Sequence, residues 1–356
     1  MSKYKVCRGF KDLMPTDYKK YKFLKDTVEE VANVYGYKMM KTACIEESDL
    51  YECNFEEDIS KRLFSIEGRF TNSVSLNYDS TISILRSVVE SKLYVDKSLP
   101  LKLMYLNEEF KYDKKSPSNA SKYVFGFECI GDKSVYLDVE NILLSMKIIE
   151  FLDQGGYNLR INNLGEDNEY YLTFKQTLIN LGIDFEEDSD IKGLPYYSGI
   201  AYEVDVDDYR ALISGGRYDY LVDNIGGVRV DCVGCKIDFD NLVKLLDKYE
   251  MFPDFREDVD FYIIPVGEKT FKYALYVSEL IRDIGAVVEI HYKEYDLKRL
   301  DDLIDRVDVA YTVVIEEDDI SKETLKIRNS VNKKESIVKL KDFIKDLEEI
   351  EEEHHH

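Results

Sequence analysis

The N-terminal part of the chain shows apolar residues at helical spacing. Between Tyr21 and Tyr35 they recur every three or four positions, and Gly36 follows as a stop signal. This pattern predicts an amphipathic helix, with Asp17 as the candidate N-cap because its carboxylate can accept hydrogen bonds from the first free amide groups. A strand is predicted after it, from residue 39 to residue 46.

The next segment, residues 60–136, alternates between apolar and polar positions as antiparallel strands do. Strands are predicted at 62–66, 70–76, 101–111 and 124–130, with a helix beginning near Ser80 between the second and the third. A helix at 138–154, a strand at 158–162 and a helix at 170–181 follow. The pattern predicts an antiparallel sheet flanked by helices, an α+β architecture.

Near Pro253 the pattern changes to β and α segments in alternation. Strands are predicted at 259–266, 287–290, 309–315, 325–328 and 336–340, and helices at 270–284, at 297–306 and from residue 341. We therefore expect two domains, at 1–252 and 253–350, and an acidic tail at 351–356 whose three final histidines are typical of an expression tag.

Composition narrows the classes of partner. The 356 residues carry a net charge of -23, and residues 254–353 hold 16 Lys and Arg against 27 Asp and Glu, a balance of -11. Nucleic-acid binding is disfavoured because phosphate contacts require clustered Lys and Arg. The sequence shows neither an apolar run long enough to span a bilayer nor a signal-peptide core, so we expect a cytoplasmic protein without a membrane partner.

The six cysteines are scattered at apolar or strand-like positions, which suits reduced thiols. Cys232 and Cys235 have a Cys-x-x-Cys spacing, but the sequence offers no second pair and no nearby histidine. We therefore expect a structural role for them, and we predict no metal site and no cofactor.

Two segments between Lys192 and Leu242 carry the candidate chemistry. The first is Lys192-Gly-Leu-Pro-Tyr-Tyr197-Ser-Gly199. The second is Ala211-Leu-Ile-Ser-Gly-Gly-Arg-Tyr-Asp219, which continues through Gly226-Gly227 to Val233-Gly-Cys-Lys-Ile-Asp238-Phe-Asp-Asn241-Leu242. In order and spacing they resemble the two histidine-site signatures and the third class II motif of the histidyl-tRNA synthetases. Arg8-Gly-Phe-Lys-Asp-Leu-Met-Pro15 is similar to the opening motif of that family.

This resemblance extends over nearly the whole chain. It implies a class II aminoacyl-tRNA synthetase core, of the α+β class, followed by an α/β domain that is similar to an anticodon-binding domain. In that family the helix predicted near the N-terminus and the strand after it form a dimer interface, so a homodimer is implied. The same helix periodicity also fits a helix that packs on its own sheet.

The resemblance also implies an amino-acid pocket. Asp79 and Thr81 match the acid and the threonine that hold the substrate ammonium group, and Tyr196 and Tyr197 match the pair that lines the imidazole pocket. A small zwitterion such as histidine is the expected ligand. The implied pocket also includes Arg86, Glu128, Lys192, Gly215, Gly216, Arg217 and Tyr218. The residues alone leave a second interpretation open, in which Asp79 is a helix N-cap and the tyrosines are core aromatics.

The charged groups that an ATP site needs are altered. Adenylate formation brings a carboxylate against the α-phosphate of ATP, so fixed cations must neutralise both anions. The three arginines of the family correspond here to Lys111, Lys192 and Asn241. Lysine keeps the charge but loses the planar fork, asparagine keeps neither, and the loss of one such donor typically costs about 10²–10³ in rate. Asp238 stands where the family has a glycine. With Asp113 and Asp238 these residues form a degenerate ATP site, and no catalytic residue is predicted.

The resemblance points to a relative that does not charge tRNA. The synthetases carry a helical insertion that grips the tRNA acceptor stem, whereas residues 138–191 hold only what joins the flanking motifs. The chain most resembles the regulatory subunit of short-form ATP phosphoribosyltransferase, a catalytically inactive relative of histidyl-tRNA synthetase in histidine biosynthesis. The implied partner is the catalytic phosphoribosyltransferase subunit. Two alternatives remain open: a divergent synthetase that activates histidine with Lys111 and Lys192, and a module that recruits RNA or protein through its C-terminal domain.

Overall fold

The computed structural model describes residues 3–55, 59–68, 70–96, 100–115, 117–152, 156–255, 259–293, 304 and 309–354. The chain divides into two compact units, Met1–Pro253 and Asp254–His356. Of the helices in these described ranges, none combines the length and the apolar character that crossing a membrane requires.

In the first unit, helices and strands alternate along the chain. The helices are α1 (Pro15–Val34), α2 (Asp49–Glu52), α3 (Ser80–Glu90), α4 (Leu93–Asp96), α5 (Val135–Phe151), α6 (Asn168–Asn180), α7 (Leu221–Asn224) and α8 (Phe239–Lys248). The strands are β1 (Lys38–Met39), β2 (Ile45–Glu47), β3 (Ser65–Ile66), β4 (Val74–Leu76), β5 (Leu101–Phe110), β6 (Ser121–Ile130), β7 (Tyr157–Asn163), β8 (Glu186–Glu187), β9 (Ile200–Val206), β10 (Tyr209–Arg217) and β11 (Cys232–Asp238).

Eight strands form the main sheet, in the order β1-β5-β6-β11-β10-β9-β7-β8. Neighbouring strands are antiparallel except at the two edges, where β1 pairs with β5 and β8 pairs with β7 in parallel. Strands β2, β4 and β3 form a separate antiparallel sheet. The predicted α+β architecture, an antiparallel-rich sheet with flanking helices, is confirmed.

The two faces of the main sheet bury different side chains. Helices α1, α5 and α8 cover the first face and enclose the larger core, which includes Leu24 and Phe125. The second face carries a core rich in tyrosine, with Tyr105, Tyr196 and Tyr218 packed beside residues of α3 and α7. The candidate ligand site lies on this second face.

Helix α1 confirms the amphipathic pattern, since Tyr21, Leu24, Val28 and Val31 are buried. The predicted N-cap is wrong, because the helix begins at Pro15 and Asp17 lies within its first turn. Proline suits the first helical position because its φ is already fixed near the helical value and it has no amide hydrogen to satisfy. The negative charge of Asp17 still favours the helix through the helix dipole.

Several predicted strands are shorter than the pattern indicated. The strand predicted at 39–46 is two short strands, β1 and β2, which belong to different sheets. The strands predicted at 62–66 and 70–76 shrink to β3 and β4. The longer elements β5, β6, β7, α3, α5 and α6 lie within a few residues of their predicted bounds, because their apolar periodicity persists over more residues.

The second unit is an α/β domain. Its strands are β12 (Phe261–Pro265), β13 (Val288–Ile290), β14 (Tyr311–Ile315), β15 (Thr324–Asn329) and β16 (Glu335–Lys339), and its helices are α9 (Phe271–Arg282), α10 (Glu317–Lys322) and α11 (Leu340–His354). The strand order is β13-β12-β14-β15-β16, with the first three strands parallel and the last two antiparallel. Ile263, Val277, Val313 and Leu325 contribute to its core.

Three details of this unit differ from the predicted pattern or lie beyond it. The helix predicted at 297–306 falls outside the described residues, apart from Ile304. Helix α10 was not predicted; the Asp319 carboxylate accepts a hydrogen bond from the Glu316 amide at its start. Helix α11 ends at His354, beyond the expected domain end at residue 350, since the glutamates of the acidic tail are good helix formers.

Candidate ligand site

Three central strands present glycines on the second face of the main sheet. Gly126 lies on β6, Gly234 on β11 and Gly216 on β10, and Gly216 is paired directly with Gly234. A Cβ atom at these positions would overlap with Tyr105 over Gly126, with Tyr197 over Gly216, and with Glu128 and Tyr218 over Gly234. The side chains of the site therefore lie directly on the backbone, which only glycine permits.

Four charged side chains meet above these glycines, and we call Asp79, Glu109, Glu128 and Lys236 the charge cluster. Asp79 precedes α3, Glu109 is near the end of β5, Glu128 is on β6 and Lys236 is on β11. The Nζ atom of Lys236 lies 2.9 Å from Oδ1 of Asp79 and 3.0 Å from Oε1 of Glu109. One ammonium group thus bridges two carboxylates from different elements.

Strand geometry explains the position of Lys236. Its paired neighbours are Gly126 on β6 and Ser214 on β10, and both are small enough to leave room for a long side chain. Alternation along β11 places Lys236 on the same face as Gly234 and Asp238. Only 14% of the Lys236 side chain is exposed, so the ammonium group depends on the carboxylates for its stabilisation.

The carboxylate of Asp79 already has three partners within the chain. It accepts a hydrogen bond from the Ile82 amide at 3.3 Å and so caps α3, which confirms the N-cap interpretation. The Tyr196 hydroxyl donates to Oδ2 at 3.2 Å, and Lys236 completes the set. Asp79 is buried, so these contacts replace water around its charge.

Glu109 is held by two lysines and a backbone amide. Nζ of Lys111 lies 2.7 Å from Oε2, and the Ser80 amide donates to Oε1 at 2.8 Å. Burial alone would raise the pKa of Glu109, but the ammonium groups of Lys111 and Lys236 outweigh it and hold the pKa well below its ordinary range. Asp79 and Glu109 are therefore matched in number by two lysines.

Glu128 lies among hydroxyl groups. Thr81 and Tyr105 donate to Oε1 at 2.7 Å and 2.8 Å, and the Tyr218 hydroxyl donates to Oε2. Burial raises the pKa of Glu128 to about 7, against the opposing effects of these hydrogen bonds and of Lys236. Near neutral pH the charged form of this carboxyl is therefore less favoured than that of an ordinary glutamate.

The structure brings together the tyrosines that the resemblance assigned to one pocket. The ring centroids of Tyr196 and Tyr197 are 5.6 Å apart, and those of Tyr196 and Tyr218 are 6.0 Å apart. Tyr196 and Tyr218 are buried, whereas Tyr197 is half-buried. Asp79, Thr81 and Glu128 adjoin the same group and Gly216 lies against Tyr197, so seven of the predicted pocket residues share one place in the fold.

The position expected for a ligand ammonium group already has contacts within the chain. We expected it on Asp79 and Thr81, but Lys236 is paired with Asp79, and Thr81 donates its hydroxyl hydrogen to Glu128. The position is filled by a side chain of the protein itself.

Lys236 and Glu109 were not among the predicted site residues. The sequence does contain a signal for Lys236, which stands between Cys235 and Ile237 in an otherwise apolar stretch. A lysine inside a buried strand needs an acidic partner, and this requirement indicates a buried ion pair.

Arg86 is also placed differently from the expectation. Its Nη2 atom lies 2.5 Å from Glu46 and its Nη1 atom 2.8 Å from Glu90, so its guanidinium group is engaged away from the charge cluster. Residue 86 is two helical turns beyond Asp79, which carries its side chain along α3 away from the helix N-terminus.

Gly215 and Arg217 contact residues on the first face of the main sheet, whereas Gly216 lies on the second face. A Cβ atom at Gly215 would overlap with Tyr202, which belongs to the larger core. Nη2 of Arg217 lies 2.5 Å from Oδ2 of Asp138 on α5, and both side chains are buried. Because side chains alternate along a strand, consecutive motif residues cannot all face one pocket.

Lys111 and Lys192 border a cavity of about 400 Å³ that also contacts Asp79 and Arg62. The Lys192 ammonium group donates to the Ser189 carbonyl oxygen at 2.8 Å. Two of the predicted ATP-site residues thus remain beside one cavity. Asp113 does not line it; its carboxylate accepts a hydrogen bond from the Lys115 amide in the turn after β5.

Asp238 and Asn241 form the beginning of α8. Oδ1 of Asp238 accepts a hydrogen bond from the Asn241 backbone amide at 3.1 Å, and Oδ2 accepts one from the Asn241 side chain at 2.6 Å. Lys122 completes the arrangement at 2.7 Å from Oδ2. The two residues that stand at predicted ATP-contact positions therefore serve as a helix cap.

A second, larger cavity of about 1100 Å³ adjoins the tyrosines from the other side. Its lining includes Arg217, Asp219, Arg229 and Asp231, so both signs of charge are present. The whole lining holds five acids (Glu166, Asp167, Glu169, Asp219 and Asp231) and three cations (Lys133, Arg217 and Arg229), and Arg217 is already paired with Asp138 and Asp219.

Cys232 and Cys235 contribute to different cores. Cys232 packs with the tyrosine-rich core on the second face, and Cys235 packs with the larger core on the first face. Their separation by three positions on one strand explains the difference, and it keeps the two thiols from facing one metal ion.

Comparison with known proteins identifies the class to which this architecture is similar. Residues 9–165 match the family model described as histidyl-tRNA synthetase, and residues 260–350 match the model described as an anticodon binding domain. The histidine–tRNA ligase of Bacillus licheniformis is 24% identical over 416 aligned positions, which cover 97% of this chain and 98% of that protein.

Solved structures agree. The apo histidyl-tRNA synthetase of S. aureus matches with a TM-score of 0.83 at 24% identity, covering 97% of this chain and 99% of the other. A Bacillus halodurans protein described as an ATP phosphoribosyltransferase regulatory subunit/histidyl-tRNA synthetase matches with a TM-score of 0.66 at 19% identity, covering 88% and 99%. The fold is thus that of a class II synthetase. More particularly, the chain consists of a domain similar to the class II domain of histidyl-tRNA synthetases, followed by a domain that matches the model described as an anticodon binding domain.

The length of the alignment shows that this chain is shorter than the B. licheniformis protein. It spans 416 positions, whereas this chain has 356 residues, so at least 60 aligned positions are filled in the B. licheniformis protein alone. Between residues 138 and 191 the described part of this chain holds the rest of α5 and then only β7, α6 and β8.

Proposed function

We propose that this protein is a non-catalytic relative of histidyl-tRNA synthetase that acts in the cytoplasm as the regulatory subunit of a short-form ATP phosphoribosyltransferase. The observation that carries the proposal is the ion pair between Lys236 and Asp79. The buried acid that would anchor an amino-acid substrate is bound by an ammonium group of the same chain. Free histidine has no open acceptor there for activation.

The altered phosphate contacts support the same conclusion. Lys111 is paired with Glu109, and Asn241 is hydrogen-bonded to Asp238 at the start of α8. A catalytic clamp must direct fixed positive charge at the α-phosphate as negative charge develops there. Of the three positions, Lys111 is already paired with a carboxylate, Asn241 carries no charge, and the Lys192 ammonium group donates to the Ser189 carbonyl oxygen.

The choice of partner rests on chemistry and on similarity. The B. halodurans protein with a similar fold is described as an ATP phosphoribosyltransferase regulatory subunit/histidyl-tRNA synthetase. The net charge of -23, the acidic balance of the second domain and the shortened segment between residues 138 and 191 favour a protein partner over tRNA. A homodimer that binds the catalytic phosphoribosyltransferase subunit is therefore the proposed assembly.

One observation favours a second candidate, a divergent histidine–tRNA ligase. Arg62, Lys111 and Lys192 border the same cavity of about 400 Å³, and cations at a cavity suit an anionic ligand such as a nucleotide. The named relatives that this chain matches over nearly its full length are histidine–tRNA ligases.

Reconstitution separates the two functions. The purified protein is mixed with the short-form catalytic subunit of the same organism, and size-exclusion chromatography with light scattering is combined with an assay of phosphoribosyl transfer. We expect a complex, a change in the transfer rate and no histidine-dependent pyrophosphate exchange. Exchange above the enzyme-free background would favour the ligase, and a failure to bind the catalytic subunit would remove the proposed regulatory role.

A further inference from the structure

The inference concerns Lys236 and the ligands that the site accepts. We propose that Lys236 determines specificity: its ammonium group is a tethered ligand that excludes free amino acids, and removing it opens a binding site for a small ammonium compound. The inference does not depend on the identity of the partner, because it concerns only the binding properties of this site.

The contacts of the Lys236 ammonium group are those of a bound ligand. Its three hydrogens can serve two carboxylates, with Asp79 at 2.9 Å and Glu109 at 3.0 Å. Both acids are nearly inaccessible to solvent, so the ammonium group replaces water as the partner of their charge.

The acceptors are positioned by the fold and not by Lys236 itself. Asp79 is fixed by its hydrogen bond to the Ile82 amide, and Glu109 is fixed by the Ser80 amide at 2.8 Å. The two carboxylates therefore keep their places when the lysine side chain is shortened. Truncation would leave two rigid acids facing a space in which an ammonium group has just been lost.

Asp79 connects that space with the cavity of about 400 Å³, because the residue belongs to the lining of the cavity. Its side chain is only 1% exposed, so we expect an external amine to reach the acid only once the Lys236 side chain has been shortened. The other charged residues that line this cavity are Arg62, Lys111 and Lys192, and together with the Lys236 ammonium group beside Asp79 they repel a cationic ligand. Removal of Lys236 lowers the local net charge by one unit and thereby favours the entry of a cationic ligand.

The test compares the unmodified protein with Lys236→Ala by thermal unfolding. The probes are L-histidine, ethylammonium chloride and 3-(imidazol-4-yl)propionate, which resembles histidine but lacks the ammonium group. We expect no shift for the unmodified protein with histidine. For Lys236→Ala we expect a rise of about 2–4 °C with histidine or ethylammonium at about ten times the dissociation constant, and none with imidazolylpropionate.

Two further variants test whether the ammonium compounds bind at Asp79. Lys236→Ala combined with Asp79→Asn should lose the response, because the principal acceptor has become neutral. Lys122→Ala, which removes a strand lysine paired with Asp238 at 2.7 Å, should not respond to ammonium compounds. A response that persists in the double variant, or that appears equally in Lys122→Ala, would place the bound ammonium elsewhere and overturn the inference.

If Lys236→Ala does not fold in buffer, refolding provides the readout. Recovery of helical circular dichroism with ethylammonium, but not with choline, would support the inference, since choline carries charge without N–H donors. No recovery with ethylammonium would overturn it. A histidine-induced shift in the unmodified protein that Asp79→Ala abolishes would overturn it as well.

Discussion

Lys236 and Asp238 are two positions apart on β11, on the same face, yet they meet different surroundings. Lys236 bridges acids that come from α3 and β5, and the pair is buried. Asp238 contacts the first turn of the helix that follows it and a half-exposed lysine on β6. Lys236 shapes the centre of the site through contacts with distant parts of the chain. Asp238 contacts only its immediate surroundings. Two residues of one motif can therefore have unrelated structural roles.

The largest effect that distinguishes the two positions is expected from Lys236→Met. The substitution leaves Asp79 and Glu109 buried without their shared cation, which should lower the free energy of unfolding by about 3–5 kcal/mol at pH 7. Lys122→Met, at the rim, should cost only about 0–1 kcal/mol. Urea unfolding followed by circular dichroism measures both.

The pH dependence of Lys236→Met gives a second check on the same comparison. In the unmodified protein the pKa of Glu109 is held low, against its burial, by Lys111 and Lys236, so its stabilising contribution is present above the ordinary glutamate pKa and is lost as the pH falls towards the folded value. Without Lys236 that pKa rises, so the stability difference from the unmodified protein should shrink as the pH is lowered. A difference independent of pH would contradict this account.

Glu128→Gln should have the next largest effect, with the opposite pH dependence. Burial raises the pKa of Glu128 to about 7, so the folded state holds the proton more tightly than the unfolded chain does. The resulting stabilisation is present below the ordinary glutamate pKa and is lost as the pH rises through about 7. The free energy of unfolding of Glu128→Gln, relative to that of the unmodified protein, should therefore increase by about 1–3 kcal/mol between pH 4 and pH 8. The exposed Glu52→Gln serves as the control and should show no such trend.

Asp238→Ala should have a smaller effect, of about 1 kcal/mol, because it removes one helix N-cap. Asp238→Asn retains a capping oxygen and should cost only a few tenths of a kcal/mol. If Asp238→Ala lowered the free energy of unfolding nearly as much as Lys236→Met, the cap would be coupled to the charge cluster and the comparison between the two positions would fail. Chemical denaturation at a single pH is sufficient to measure this difference.

The smallest expected effect comes from restoring the family residues at the cap. Asp238→Gly combined with Asn241→Arg should still give no histidine-dependent pyrophosphate exchange, because Lys236 continues to occupy Asp79. Exchange assays of the purified double variant measure this. Activity in that variant would show that the loss of phosphate contacts, and not the tethered ammonium, is what silences the site.

The sequence predicted the parts of the fold in which periodicity is long. Helix α1 and strand β5 were identified because their apolar patterns extend over ten residues or more, whereas β6 begins three residues before its predicted start at 124. The strand predicted at 39–46 failed because a short apolar run does not determine which sheet a strand joins. The predicted α1 cap failed because Pro15 competes with Asp17 for the helix start.

The candidate site was predictable where one motif residue contacts another. Tyr196, Tyr197 and Tyr218 lie together, as the motif order implied. Arg86 could not be placed correctly, because its partner Glu46 lies forty positions away in a strand of the small sheet. The pairing of Lys236 with Asp79 likewise joins distant parts of the chain, and a motif comparison registers only that an unusual residue is present.

The location of Lys236 on a central strand also bears on how the site behaves in time. Strand β11 is paired with β6 along its whole length and with β10 along most of it, so its backbone opens only when the sheet itself opens. Rotation of the side chain towards solvent would leave Asp79 buried without a cation and Glu109 paired with Lys111 alone. The folded protein therefore has no vacant form of this subsite for an amino acid to select. The ammonium group blocks the subsite permanently and does not open it in response to a ligand. A ligand or partner that regulates this protein must therefore bind at another surface.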